Sequence, residues 1–99
     1  MRLRFTQRSR RHLDEIAEYI AERNPSAARR VGERIREVAA LLGEFPFVGR
    51  EGALTGTREM VVPGLPYIIV YRIDADAVSV LGVYHGAQLR PGQERRSSR

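Results

Sequence analysis

The sequence predicts a single α+β domain in which a two-helix N-terminal hairpin packs on one face of a small antiparallel sheet. Two observations predict this class. The hydrophobic residues alternate at the N-terminus, recur at helical spacing as far as Phe45, and then return to short strand-like runs. The chain has 99 residues, 42% of them hydrophobic, which suffices for one core and leaves no room for a second. The predicted order of elements is β-α-α-β-β-β.

The first strand and the first helix meet at Thr6. Leu3 and Phe5 alternate with arginines in a short strand, and threonine is a residue type that caps helices. The helix after Thr6 is predicted to end near Arg23. Its apolar positions keep helical spacing and are Leu13, Ile16, Ala17 and Ile20.

The second helix is predicted to begin at Asn24-Pro25, because asparagine is a good N-cap and proline is favoured in the first turn. Its apolar residues step by three and four along one face and are Ala28, Val31, Ile35, Val38, Leu42 and Phe45. The link between the two helices is so short that they must lie antiparallel.

Three strands are predicted after the helices. The first runs from Thr57 to Val62, and a Pro-Gly-Leu-Pro turn then reverses the chain into Tyr67–Ile73. This second strand is nearly all apolar and β-branched or aromatic, which is typical of a central strand. After another turn, the last strand covers Val78 to Tyr84.

The domain is predicted to span residues 1–91. Residues 92–99 form a basic tail without an apolar anchor, and we expect this tail to be disordered.

The composition excludes several kinds of chemistry. The chain has no cysteine, so it can form no disulfide, thiolate metal site or cysteine nucleophile. All 17 basic residues are arginine, against 12 acidic residues and a net charge of +5, so no lysine amine can act as base or nucleophile. The two histidines, His12 and His85, make no recognisable ligand set with paired acids. We therefore expect no metal and no cofactor.

No apolar run approaches the roughly 20 residues that span a bilayer. The N-terminus alternates charged with apolar residues and has no signal-peptide core. We expect a cytoplasmic protein that does not interact with membranes.

Five segments match one family pattern in the right order: Asn24-Pro25-x-Ala27-Ala28, Phe45-Pro46-x-x-Gly49-Arg50, Gly56-Thr57-Arg58-Glu59, Pro63-Gly64-Leu65-Pro66-Tyr67-Ile68-Ile69-Val70-Tyr71-Arg72 and Tyr84-His85-Gly86-Ala87-Gln88. Through these segments the chain resembles the RelE/ParE superfamily of toxins from bacterial type II toxin–antitoxin modules. The resemblance runs from the first strand to about Pro91. It implies the fold predicted above and a growth-inhibiting toxin that a cognate antitoxin neutralises. It also implies that operator DNA is reached only indirectly, through the antitoxin.

Two activities occur in that superfamily. RelE-like members are endoribonucleases that cut messenger RNA on the ribosome, whereas ParE-like members are not nucleases and poison DNA gyrase. A nuclease needs groups to activate the 2′-hydroxyl, to protonate the leaving oxygen and to hold the phosphate. The candidates for these roles are His85, Tyr84, Arg58, Arg72 and Arg50.

Each candidate also has a structural interpretation. His85 can cap the end of the last strand, and the ring of Tyr84 can pack. Arg58 can form a pair across the sheet, and Arg72 can pair with Asp74 or Asp76 in the next turn.

The pattern favours the ParE-like branch. The resemblance leads us to expect lysines around the sheet of a RelE-like nuclease and an arginine at the position of Ile68, and this chain has neither. We therefore predict a non-enzymatic toxin that binds DNA gyrase. Arginine, aromatic and polar side chains near the strand ends would form its contact surface: Arg58, Arg72, His85, Gln88 and Arg90.

Two alternatives remain open. One is a RelE-like endoribonuclease that acts on the ribosome and messenger RNA, and the other is a weakly toxic corepressor partner of the antitoxin. In each case we expect an arginine-rich groove between the helical hairpin and the sheet to accept an acidic, amphipathic antitoxin segment.

Overall fold

In the computed structural model, which describes residues 1–93, two helices lie on one face of a five-stranded sheet. The elements are β1 (Arg2–Phe5), α1 (Gln7–Ala21), α2 (Pro25–Glu44), β2 (Arg50–Glu51), β3 (Arg58–Val61), β4 (Tyr67–Ile73) and β5 (Ala77–His85). Their order across the sheet is β1-β5-β4-β3-β2. The α+β class and the helical hairpin predicted from sequence are confirmed.

The sheet differs from the prediction in two details. The two-residue strand β2 pairs with β3 at the edge, and β1 joins β5 in parallel, so the sheet is mixed and not wholly antiparallel. A short strand of alternating residues carries no signal of its direction. The register places Leu3 opposite Val78 and Phe5 opposite Val80, which turns both side chains of β1 towards the helices.

Both helices begin at the predicted caps. The Thr6 hydroxyl accepts from Ser9 N–H (3.1 Å), and the Asn24 side chain accepts from Ala27 N–H (3.1 Å). The first helix ends at Ala21, two residues before the predicted end near Arg23. The link is short because the Asn24 N–H already donates to Ile20 O (2.8 Å) while its side chain caps α2.

The main core lies between the helices and one face of the sheet. Ile35 and Leu42 of α2 are fully buried, as are Ile69, Tyr71 and Val80 of the central strands. Helical and strand spacing predicted these positions correctly. Phe45, which was expected on the same face of α2, lies after the end of the helix in a non-helical conformation and is 59% exposed.

The second face of the sheet has no helix over it, yet Ile68 and Val70 of β4 are buried there. A segment that we call the C-terminal arm, residues 86–93, lies on this side. The Gly86 N–H donates to Pro66 O (2.8 Å), and further on Arg90 reaches the carboxylate of Glu59 on β3.

The first two residues of the predicted tail, residues 92–99, are part of this arm. Gly92 and Gln93 belong to a turn in which Gln93 N–H donates to Arg90 O (2.9 Å). Residues 94–99 lie outside the described residues. Within residues 1–93, neither helix has the length and apolar character needed to cross a membrane.

Candidate functional site

The predicted site residues lie at two ends of the sheet. His85 is paired with Tyr67 at one end of the β4–β5 ladder, and Arg72 is paired with Ser79 near the other. Tyr67 and Arg72 are five positions apart on β4, which corresponds to about 16 Å at roughly 3.3 Å per residue. The structure therefore does not bring His85 together with Arg72.

Arg58 is also remote from His85 and lies on the face opposite to Arg72. Its register partner is Tyr71, whose ring belongs to the helix-covered core. We call the end with Arg58, Arg72 and Asp74 the arginine end, and the end with Tyr67 and His85 the aromatic end.

Arg58 is held by the loop that follows α2. Its Nη2 donates to Gly49 O (2.6 Å) and Phe47 O (3.2 Å), and the guanidinium lies over the Phe47 ring at 5.3 Å. The buried hydroxyl of Tyr71 fastens the same loop, because it donates to Pro46 O (2.7 Å) and accepts from Gly49 N–H (3.0 Å). The guanidinium of Arg58 thus stabilises a loop and does not stand free for a phosphate.

Arg72 pairs with Asp74, one of the two structural partners considered from sequence. Its Nε donates to Asp74 Oδ1 (2.9 Å), while Ser79 Oγ donates to Asp74 Oδ2 (2.7 Å). Arg4 of β1 lies 3.7 Å from the same carboxylate. The hydrogen bond from Ser79, followed by that from Arg72, lowers the pKa of Asp74 below its ordinary value of 3.8.

Arg90 and Arg50 share one carboxylate. Glu59 is 4% exposed, and its Oε1 accepts from Arg50 Nη2 and from Arg90 Nε, both at 3.1 Å. The Arg90 side chain is itself only 11% exposed. Arg90 therefore faces inward, which its position in the sequence did not reveal.

The aromatic end forms an open groove of about 480 Å³ between α1 and the ends of β4 and β5. The groove is lined by histidine, tyrosine and a few apolar or polar residues: His12, Glu15, Ile16, Tyr19, Pro66, Tyr67, Val83, Tyr84, His85 and Gln88. None of the residues that line this groove is arginine, so this groove differs from the arginine-rich groove expected between the hairpin and the sheet. The structure does bring His85, Tyr84 and Gln88 together here.

His85 and Gln88 build a tight turn at the mouth of the groove. The His85 N–H donates to Gln88 Oε1 (2.6 Å), and the Gln88 N–H donates back to His85 O (2.9 Å). The imidazole Nδ1 accepts from Ala87 N–H (3.1 Å), and the ring meets Tyr67 edge to face at 5.7 Å. His85 therefore caps the strand end, as its structural interpretation proposed, while its side chain remains exposed.

His12 is a groove residue that the sequence reasoning did not select. It projects from α1 to the edge of β5 beyond the end of β1, where its Nδ1 accepts from Val83 N–H (3.1 Å) and its ring meets Tyr84 at 5.0 Å. Its helical position one residue before buried Leu13 was the only available signal. Burial lowers the pKa of His12 below 6.5, the nearby Arg11 and Arg8 lower it further, and Glu15 opposes them.

Tyr67 forms the floor of the groove. Burial raises the pKa of its phenol above the ordinary value of 10.0, and the nearby Tyr19 adds to the effect. The Tyr67 phenol is therefore neutral at physiological pH, and it offers an apolar ring with a hydroxyl donor.

The arrangement suits binding better than phosphate chemistry. Two imidazoles and three phenols meet in one groove, but the arginines that would stabilise a developing phosphate charge lie elsewhere in internal contacts. Tyrosine and histidine rings around an apolar floor are typical of a surface that anchors another protein. Among residues 1–93, no cluster of three or more histidine and acidic side chains has the arrangement of a metal site.

Comparison with known proteins gives consistent matches over nearly the whole chain. Residues 3–90 match the family model described as ParE toxin of type II toxin-antitoxin system, parDE. A putative toxin, Y4kP, of Sinorhizobium fredii is 47% identical over 90 residues, which cover 91% of this chain and 93% of the relative. Toxin RelE2 of Caulobacter vibrioides is 34% identical, with 86% and 94% covered.

A solved structure shares the fold. The structure described as the chromosomal ParDE TA system from P. aeruginosa superposes with a TM-score of 0.80 at 20% identity, covering 86% of this chain and 95% of that one.

Proposed function

The chain belongs to the ParE toxin family of type II toxin–antitoxin systems, and we propose that it inhibits growth by binding and poisoning DNA gyrase through its aromatic end. One observation carries this proposal. The arginines of the candidate nuclease set are engaged in internal contacts remote from His85, whereas His85, Gln88 and Tyr19 stand at an open groove. A ribonuclease site would need these two groups of residues together.

The proposed contact surface is therefore narrower than the set expected from sequence. It keeps His85 and Gln88 and adds Tyr84, Tyr19 and His12. The remaining members of the earlier set are engaged in contacts within the chain and are left out of the surface: Arg58, Arg72 and Arg90.

The test compares two reactions with purified protein. We expect inhibition of gyrase-dependent DNA supercoiling and no cleavage of ribosome-bound messenger RNA. His85→Ala and Tyr19→Ala should each weaken the inhibition by about tenfold or more, the size expected of an interface hot spot. Arg34→Gln is a control, because Arg34 lies on α2 in an exposed pair with Glu37.

A second candidate function rests on the two imidazoles. His12 and His85 line the same groove as Tyr84, and a pair of imidazoles can act as acid and base on RNA. Cleavage of ribosome-bound message that is lost in both His12→Gln and His85→Gln would replace the gyrase proposal with this one. Absence of any growth defect when the chain is expressed alone would instead favour the corepressor role.

The partner we propose is a cognate antitoxin. A cluster of strongly exposed apolar side chains at the end of α2 supports it, since such clusters are usually covered by a partner: Leu41, Phe45, Phe47 and Val48 are 47%, 59%, 71% and 56% exposed. Hydrogen exchange on a purified toxin–antitoxin complex tests the assignment. We expect slower exchange across residues 41–48 in the complex, and unchanged exchange there would place the antitoxin elsewhere.

A further inference from the structure

The C-terminal arm consists of two turns that are closed in the same way by a glutamine. In the first turn, His85 and Gln88 exchange a backbone and a side-chain hydrogen bond. In the second, the Arg90 N–H donates to Gln93 Oε1 (2.8 Å) and the Gln93 N–H donates to Arg90 O (2.9 Å). The arm is therefore ordered by its own hydrogen bonds, and its two turns adjoin through Leu89.

The first turn belongs to the proposed contact surface, whereas the second is fastened to the sheet. Arg90 lies at the start of the second turn and donates to the buried carboxylate of Glu59, which Arg50 also contacts. These three residues come from β2, from β3 and from the arm. A carboxylate that is 4% exposed depends on such partners, because a buried charge without them would destabilise the fold.

A second fastening uses shape instead of charge. Gly92 has φ +88°, as the third residue of a type II turn requires, and a Cβ at this position would lie 2.3 Å from Leu54 N and 2.6 Å from Ala53 C. The arm thus fits against residues 53–54 only because position 92 has no side chain.

From these contacts we propose that Glu59 is a positioning residue: through Arg90 it locks the arm across the open face of the sheet and thereby holds the His85–Gln88 turn in its target-binding geometry. This inference rests on the proposed function, because it takes that turn to be a contact surface. Glu59 itself is buried and touches no target. Its substitution should therefore act on binding only by releasing the arm.

The experiment uses two substitutions that release the arm by unrelated means. Glu59→Gln removes the charge that holds Arg90, and Gly92→Ala creates the clash with residues 53–54. Gly64→Ala is the matched control. Gly64 also follows a proline and has φ +83°, so alanine imposes similar backbone strain. Apart from its two chain neighbours, no residue from 1 to 93 has a heavy atom within 4 Å of the added Cβ.

Three measurements are made for each full-length variant. Amide hydrogen exchange and inhibition of gyrase supercoiling use the purified protein, and growth arrest is followed in cells on induced expression. We expect Glu59→Gln and Gly92→Ala to speed exchange at Gln88 and Gln93 by about tenfold or more while the central strands stay protected. Both should weaken growth arrest. Gly64→Ala should neither speed exchange in the arm nor weaken growth arrest. Arg90→Gln combined with Glu59→Gln should be no worse than Glu59→Gln alone, because the two residues act as a unit.

The outcomes separate the two proposals. If the unsubstituted protein arrests growth without inhibiting gyrase, the gyrase proposal fails, while the arm is still judged by exchange and growth arrest. If the arm is released in both variants but growth arrest is undiminished, the positioning role of Glu59 is wrong. If the arm of Glu59→Gln stays protected from hydrogen exchange, Glu59 does not lock the arm. Gly92→Ala then shows whether shape alone holds it.

Discussion

The two ends of the sheet use their polar side chains in opposite ways. At the arginine end, Arg58, Arg72 and Asp74 are engaged with neighbours in the same chain. At the aromatic end, His85 and Tyr19 are presented to an open groove. A count of charges would favour the first end as the site. The availability of a charged group to another molecule therefore depends on its partners within the chain, and only the fold reveals those partners.

The largest expected effect is the loss of stability when a buried tyrosine hydroxyl is removed at the arginine end, compared with removal of the Tyr84 hydroxyl at the aromatic end. Tyr71→Phe leaves Gly49 N–H and Pro46 O without their partner in a buried place, so we expect a loss of about 2 kcal/mol in the free energy of unfolding. Tyr84→Phe should change it by less than about 0.5 kcal/mol, since no residue from 1 to 93 forms a hydrogen bond with the Tyr84 hydroxyl. Urea titration of both variants checks the difference, and equal losses would contradict it.

Arg58 provides the next test, because its role at the arginine end is assigned to the loop. Arg58→Lys keeps the charge, but its ammonium ends nearer the backbone than Nη2, which alone donates to both Phe47 O and Gly49 O, and lysine has no planar group to lie over the Phe47 ring. We therefore expect about 1 kcal/mol of destabilisation. The expected value is moderate because Arg58 is partly exposed and its buried Nε has no partner within residues 1–93. Arg36→Lys is the control, since Arg36 makes one long contact with Gly32 O (3.4 Å). Unchanged stability in Arg58→Lys would return this guanidinium to the list of target contacts.

The third effect appears only when the pH is lowered, and it separates the two ends by pH range. The pKa of His12 is depressed in the fold, so the unfolded chain binds the proton first as pH falls below 6.5. The stability from neutral His12 is complete above that pH and is lost as pH falls through the folded pKa. In His12→Gln, the free energy of unfolding from urea titrations should depend less on pH between about 7.5 and 5, a range chosen to bracket the ordinary histidine pKa.

Asp74 contributes in a lower range. Its pKa is also depressed, so its contribution is present above 3.8 and is lost only as pH falls through the lower folded value.

A stability curve that is flat between pH 7.5 and 5 in the unsubstituted protein would show that His12 is not the group that titrates.

The smallest effect is expected at the exposed pair of the arginine end. Arg72→Gln removes a pair whose arginine is 49% exposed, and exposed ion pairs contribute little to stability because water and salt screen them. The free energy of unfolding should therefore stay nearly constant, and added salt should change it little in either form. A loss comparable with that of Tyr71→Phe would mean that the Arg4–Asp74–Arg72 cluster acts as a network.

Much of the fold could be predicted from the sequence. Helical spacing, the caps Thr6 and Asn24, and the apolar run of β4 are local signals, and each reported the structure correctly. The direction of β1 could not be predicted, because four alternating residues fit either orientation. The extra strand β2 is two residues long and is defined only by its pairing with β3.

The site was less accessible to sequence reasoning. Tyr84, His85 and Gln88 are close in the chain, so their grouping was visible. His12 joins them through its hydrogen bond with Val83, 71 residues later, and the inward direction of Arg90 depends on Glu59, 31 residues earlier. Residue type marks these groups as polar, but contacts over such separations follow only from the packed chain.

The parallel pairing of β1 with β5 has a consequence for how the protein is made. β1 is synthesised first, yet its only neighbour in the sheet is the last strand, and β5 also supplies Tyr84 and His85 to the groove. A nascent chain held on the ribosome before residue 77 has therefore neither a closed sheet nor an aromatic end. A chain that stops before β5 therefore lacks the strand that pairs with β1 and the Tyr84 and His85 side chains of the groove.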